Sequence, residues 1–181
     1  VDASLRAGEA RAQRVEHRRR LRPHHRRVEL EADAVHDRAA AERGLILPHA
    51  YYPVPDFVPD GLKVSRALAL SIARRESEFD PAARSSADAR GLMQVLPGTA
   101  KLMATKLGKA FDAGKLISDP AYNVAMGAAY LSEMAEEFGP SIALIASGYN
   151  AGPGRPRRWI GEFGDPRRSD VDVVDWVETI P

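Results

Sequence analysis

A chain of 181 residues with 44% hydrophobic and 28% charged residues is long enough to bury one core and too short for a large multidomain enzyme. Its formal net charge of +1 gives no global pull toward nucleic acid, and no run of about 18 apolar residues is available to span a bilayer. The absence of cysteine excludes disulfides, thiolate metal sites and cysteine nucleophiles, and leaves the redox compartment open.

Composition divides the chain. Residues 1–44 hold 11 Arg, no Lys and 8 acidic groups, a net +3, with four of the five His and no aromatic residue. This basic arm is expected to be a solvated, partly helical or disordered segment with too little apolar surface to fold alone. Its Arg18–Arg27 stretch has no interleaved aromatics on which bases would stack, so no nucleic-acid partner is expected. The first thirty residues, opening on Val1, lack the apolar core of a signal peptide, which decides nothing about export. Residues 45–59 carry four prolines, which forbid a continuous helix and favour an extended linker. Its Tyr51, Tyr52 and Phe57 are expected to pack against the domain that follows, residues 60–181.

In that domain Asp60 is a candidate cap for a helix with Leu68 and Ile72 at i, i+4, ending near Arg75 or Glu76. Pro97 is placed as a first-turn proline of a second helix, with Ala100, Met103 and Leu107 on one face and Gly108 as its stop. Asp119-Pro120 repeats the start signal, and Ala128, Leu131, Ala135 and Phe138 form the stripe of a helix ending at Gly139. Pro140 opens an apolar helix through Ile142 and Ile145. Loops are predicted at Pro81–Gly91 and Ala151–Pro156. With no strand alternation, the pattern is an all-α domain.

The chemistry has one candidate acid, Glu76, at the end of an amphipathic helix; alone, such a residue is far more often a solvated surface group. Its context is Glu76-Ser77, then Gly91-Leu92-Met93-Gln94, then Tyr149-Asn150-Ala151-Gly152. These three motifs in this order resemble the lysozyme-like catalytic domain of the soluble lytic transglycosylases, over about residues 64–160 with a weaker match to Pro181.

The resemblance implies a lysozyme-like fold and cleavage of peptidoglycan between N-acetylmuramic acid and N-acetylglucosamine without water, leaving a 1,6-anhydromuramyl end. It implies Glu76 as acid and then base, a carboxyl whose pKa must be raised, for which Phe79, Met93 and Leu96 offer an apolar wall. Tyr149 is expected to hydrogen-bond and orient that carboxyl. Gln94, Ser85, Leu96 and Asn150 are the expected substrate contacts. Ser77 and Met93 are expected to support the site, Ser77 by holding the helix end, since no His or Lys accompanies it to make it a nucleophile. Gln94 serves equally well to brace the loop at Gly91.

Asp88 stands where the family usually has a glycine, and Asp175–Pro181 resembles the start of a segment that continues further in the family, so the catalytic domain is expected to be truncated. Two rivals stay open: a muramidase on the same fold, for which Asp80 is the candidate second carboxyl, and an inactive glycan-binding remnant. No metal and no cofactor are expected, because His or Cys clusters and phosphate-cradling glycine loops are lacking. A monomer working on glycan strands in the bacterial periplasm completes the expectation.

Overall fold

In the computed structural model, which describes Pro55 and residues 57–181, the first helix is capped by Ser65 rather than by Asp60. The Ser65 hydroxyl accepts from the Leu68 amide at 3.2 Å, satisfying one of the amide groups that a helix start leaves without a partner. Asp60 instead sits 3.9 Å from the Arg66 guanidinium. The basic arm of residues 1–44 and Tyr51 and Tyr52 lie outside the described residues. Phe57 packs partly buried against the core, and Val58, on the linker side of the expected boundary, is buried within it.

Helix α1 spans Arg66–Ser77 and buries Ala69, Leu70, Ile72 and Ala73. It ends sharply because Glu78 and Phe79 both adopt left-handed backbone, with φ of 52° and 68°, a conformation non-glycine residues occupy at a cost. Helix α2, Pro97–Lys106, buries Ala100, Met103 and Ala104. Leu107 was expected on that face, but it is the C-cap residue, where the helix has ended, and it is exposed. A short helix that the sequence pattern did not announce, α3 at Lys115–Ser118, buries Leu116.

Helix α4, Pro120–Phe138, starts as predicted: the Asp119 carboxylate accepts from the Tyr122 amide at 3.0 Å, with proline at the first helical position. It packs against α1, α2, α3 and the next helix. A helix with neighbours on so many sides is apolar on more than one stripe, and α4 buries Val124, Met126 and Met134 beside the predicted Ala128, Leu131 and Phe138. Helix α5 spans Ile142–Ala151 and is capped by Ser141, so Pro140 lies outside it. Ile142, predicted to be on the apolar face, is 61% exposed, and Leu144 and Ile145 are the buried residues.

The predicted loop at Ala151–Pro156 shrinks to Gly152 and Pro153, because Gly154–Phe163 forms helix α6. Pro156 fits there because a first-turn residue needs no intrahelical amide bond. Helix α7, Val173–Thr179, is capped by Asp172 and packs Trp176 edge-on against Trp159 of α6, with ring centroids 6.4 Å apart. The Trp176 indole N–H donates to the Gly164 carbonyl at 2.9 Å. Among the described residues there is no strand, in line with the all-α expectation; two isolated bridges, Arg84 with Arg90 and Arg90 with Val95, tie the long loop between α1 and α2. No helix among those residues is long and apolar enough to cross a membrane.

Candidate active site

Four parts of the fold meet at one cleft of about 470 Å³: the end of α1, the α1–α2 loop with the start of α2, the middle of α4, and the end of α5. The left-handed pair Glu78 and Phe79 stops α1 one turn past its buried face, which leaves Glu76 at the cleft wall. Glu76 is half-buried, and burial holds its carboxyl above the ordinary carboxylate value of 4.5 against the opposing charge of Arg75. Among the described residues lining the cleft it is the only one with an ionisable carboxyl.

The turn Gly91–Gln94 is where the three sequence motifs are physically joined. The Ser77 hydroxyl, next to Glu76, donates its one proton to the Leu92 carbonyl at 2.8 Å, with the Ala73 carbonyl 3.2 Å away on its own helix. The Met93 amide donates to the Asn123 side-chain oxygen at 2.9 Å, and the Met93 carbonyl accepts from the Tyr149 hydroxyl at 2.8 Å. Three consecutive backbone groups of one turn are therefore held by side chains from α1, α4 and α5. Gly91 is required at its head: φ is +71°, and a Cβ there would lie 2.2 Å from the Leu116 carbonyl oxygen and 2.4 Å from the Asn123 amide nitrogen.

Gln94 follows with φ of 45°. Both N–H groups of its amide are donated to the loop, to the Gly91 carbonyl at 2.9 Å and the Ala83 carbonyl at 3.1 Å. Two carbonyl partners fix which end of the amide is nitrogen. The remaining polar atom, the side-chain oxygen, is what Gln94 has to offer in the cleft. Bracing the loop and lining the cleft are thus two halves of one side chain.

Ser85, Leu96, Tyr149 and Asn150 also line the cleft. The Ser85 hydroxyl accepts from the Ala89 amide at 3.1 Å within a tight turn. Leu96 is 45% exposed as the residue just before α2. Tyr149 does not make the expected bond to the Glu76 carboxyl: its single proton goes to the Met93 carbonyl, and burial first, then the nearby Glu76, pushes the phenol's pKa up. Ser77 and Met93 are absent from the lining and act from behind it. Phe79 and Met93 do not form the expected wall, being packed in the core at 4% and 0% exposure.

Sequence reasoning missed Tyr130 and Asn123. Tyr130 of α4 lines the cleft with its ring 5.4 Å from that of Tyr149, and its hydroxyl reaches the Gly148 carbonyl at 3.4 Å. An aromatic on an apolar helix reads as core, and nothing local distinguishes it. Asn123 is buried at 1% exposure, and its only sequence signal is a lone amide among apolar residues in the first turns of α4. Among the described residues no cluster of three or more His, Cys, Asp or Glu is placed to hold a metal ion.

Comparison with known proteins follows the same geometry. The family model described as Transglycosylase SLT domain matches residues 60–171. The soluble lytic murein transglycosylase of Escherichia coli strain K12 is 36% identical over 140 residues, covering 74% of this chain and 20% of that protein. The membrane-bound lytic murein transglycosylase C of Yersinia enterocolitica is 33% identical over 137 residues, 70% of this chain and 37% of that protein. The crystal structure of the 70 kDa soluble lytic transglycosylase from Escherichia coli superposes with a TM-score of 0.64 at 34% identity, covering 74% of this chain and 22% of that one. The chain therefore spans about a fifth of the length of the soluble relatives it matches.

Proposed function

Because this chain belongs to the transglycosylase SLT family, we propose that its cleft cleaves the β-1,4 bond between N-acetylmuramic acid and N-acetylglucosamine in peptidoglycan, with Glu76 as the only acid and base. The neutral carboxyl gives its proton to the glycosidic oxygen as the bond to C1 breaks. The muramyl C6 hydroxyl then attacks C1 and returns its proton to Glu76, so the enzyme is restored and the product ends in a 1,6-anhydro ring. No water enters the balance.

The observation that carries this reading is the solitary carboxyl. Glycoside hydrolases canonically use a second carboxylate to activate water or to stabilise the cation, and no described residue lining the cleft other than Glu76 carries one. Neither Glu78 nor Asp80, the two carboxyls that follow Glu76 in sequence, lines the cleft, and Asp80 uses its carboxylate to accept from the Ala82 amide at 2.8 Å, closing the turn after α1. Burial moves the carboxyl in the direction a general acid requires, so that it keeps its proton above the ordinary range. The cleft contacts suit an aminosugar: the Gln94 oxygen accepts, Ser85 and Asn150 donate, and the Tyr130 and Tyr149 rings give apolar surface. A workplace in the bacterial periplasm, where peptidoglycan lies, follows from this substrate, and the protein acts there as a monomer.

Mass spectrometry of the sugars released from purified peptidoglycan by this chain and by Glu76→Gln tests it. Anhydro ends, reduced by about 100-fold or more in the variant, are expected. Ends one water heavier would make it a muramidase, and glycan bound by both proteins but cut by neither would make it a binding domain.

A further inference from the structure

Among the described residues Asn123 is the buried polar side chain with the most hydrogen bonds, and it does not line the cleft. Its oxygen accepts from the Met93 amide at 2.9 Å, and its nitrogen donates to the Arg90 carbonyl at 2.7 Å and the Leu116 carbonyl at 2.9 Å. The two loop partners lie on either side of Gly91, Arg90 just before the turn that ends in Gln94 and Met93 within it. Nothing else in α4 reaches that turn with hydrogen bonds among the described residues.

The turn needs such a hold. Gln94 keeps a left-handed backbone with φ of 45°, which a residue with a Cβ maintains only where the surroundings over-determine it. Its own bonds, from the Gln94 amide to the Gly91 carbonyl at 3.1 Å and from its side chain to Gly91 and Ala83, lie within the loop and would travel with it. Asn123 fixes the loop to the scaffold instead, on a helix that packs against four others.

We propose that Asn123 is a positioning residue that acts through Gln94: by clamping Arg90 and Met93 to α4 it holds the Gln94 side-chain oxygen in register with Glu76 across the cleft. The proposal rests on the transglycosylase reading above for its kinetic consequence, but not for its structural one. A burial role alone would cost stability wherever Asn123 is removed. A positioning role makes the catalytic loss depend on whether Gln94 is present.

The test compares the full chain with Asn123→Ala, Gln94→Ala and the double variant, using soluble uncrosslinked glycan strands and the nuclear magnetic resonance signals of the Met93 amide and the Gln94 side-chain amide. For Asn123→Ala the expected result is about a 100-fold fall in kcat with KM little changed, as misplacement of a contact group by about 1 Å produces. In the Gln94→Ala background the same change should cost no further activity, and in Asn123→Ala the Met93 amide should exchange faster while the Gln94 side-chain signals lose their dispersion. Equal losses with and without Gln94, or an unchanged Asn123→Ala, would overturn the proposal. If Asn123→Ala does not fold, Asn123→Asp keeps the volume and the bond from Met93 but loses both donations, and the same comparison applies. If the unmodified chain releases no anhydro ends, the transglycosylase reading has failed for this chain; the resonance signals then decide the positioning role, and undisturbed Gln94 signals in a folded variant would reject it.

Discussion

The Tyr149 hydroxyl lies 2.8 Å from the Met93 carbonyl oxygen and donates its one proton there. Tyr149 therefore joins the end of α5 to the turn that carries Gln94, and toward Glu76 its oxygen has only lone pairs to present. Tyr149→Phe keeps the ring packed on Tyr130 and leaves the Met93 carbonyl buried without its partner. The expected cost is about 1–3 kcal/mol of stability, read by urea unfolding, together with a fall in kcat larger than any change in KM. A variant as stable and as active as the parent would remove Tyr149 from the support of the turn.

Glu76 gives the protein a pH dependence whose sign follows from burial. Its carboxyl holds a proton to higher pH in the fold than its ordinary value of 4.5, so over that interval the folded state binds more protons than the unfolded state. Stability is then greatest below the unfolded value and declines as pH rises through the folded one. Glu76→Gln, which cannot ionise, should melt at a higher temperature than the parent at pH 7, with the gap closing toward pH 4. A gap that widened in acid would mean that the ionised carboxylate is the form the fold favours.

Arg75 works against that burial. Activity that requires the protonated acid should fade as pH rises through the folded value of Glu76, a limb displaced above the ordinary carboxylate range. Arg75→Gln should move that limb to higher pH, because the positive charge that holds the carboxyl down is gone. Arg75 is exposed, so the difference between the two proteins should shrink in about 0.5 M salt, where screening acts over only a few ångströms. A limb that stays in place in low salt would show that Arg75 does not reach Glu76 electrostatically.

At the site where the family usually carries glycine, Asp88 has φ of 65°. This is left-handed backbone, which glycine adopts freely and which Asp is among the residues that tolerate. Its carboxylate is gripped by Arg84 and by Arg90, at 2.7 Å and 3.0 Å from their Nε atoms, which lowers its pKa. Asp88→Gly relieves the backbone while losing an exposed pair with Arg84, of small worth, and a partly buried one with Arg90, whereas Asp88→Ala keeps the strain and loses the same pairs. Urea unfolding should rank the parent and the glycine variant close together and the alanine variant below both. Alanine equal to glycine would mean that the loop does not need its left-handed residue.

Much of this was legible from short-range chemistry. Asp119-Pro120 marked the start of α4 because a cap and a first-turn proline act within one turn, and Glu76, Gln94 and Tyr149 were found because three motifs stood in order. What escaped depended on distance. Asp60 and Ser65 are both good caps, and only the packing of Leu70 and Ala73 decides where α1 must begin. The predicted loop takes in residues 154–156 because Gly and Pro dominate the first turn of α6, while Trp159 acquires its meaning from Trp176 in a later helix. Asn123 bonds to a residue 30 positions away, and no local pattern encodes such a pairing. The partner of Tyr149 was misassigned for the same reason: the motif names the donor, and the fold chooses the acceptor.

Gly127 on α4 sets helix propensity against packing. In an ordinary helix interior, glycine to alanine gains about 1 kcal/mol. Here a Cβ would fall 2.6 Å from the Met93 sulfur and 2.7 Å from the Met93 Cβ. The sulfur sits on a flexible chain and can swing away, but the Cβ moves only with its backbone, and that backbone is held by Asn123 through the amide and by Tyr149 through the carbonyl. Overpacking against a fixed partner costs about 1–3 kcal/mol, which outweighs the propensity gain. Gly127→Ala should therefore be less stable than the parent in urea. The strain it puts on Met93 should reach Gln94 and slow turnover without removing any residue from the cleft. A more stable variant with normal turnover would show that the Met93 turn yields, and that the clamp from α4 and α5 is looser than its hydrogen bonds imply.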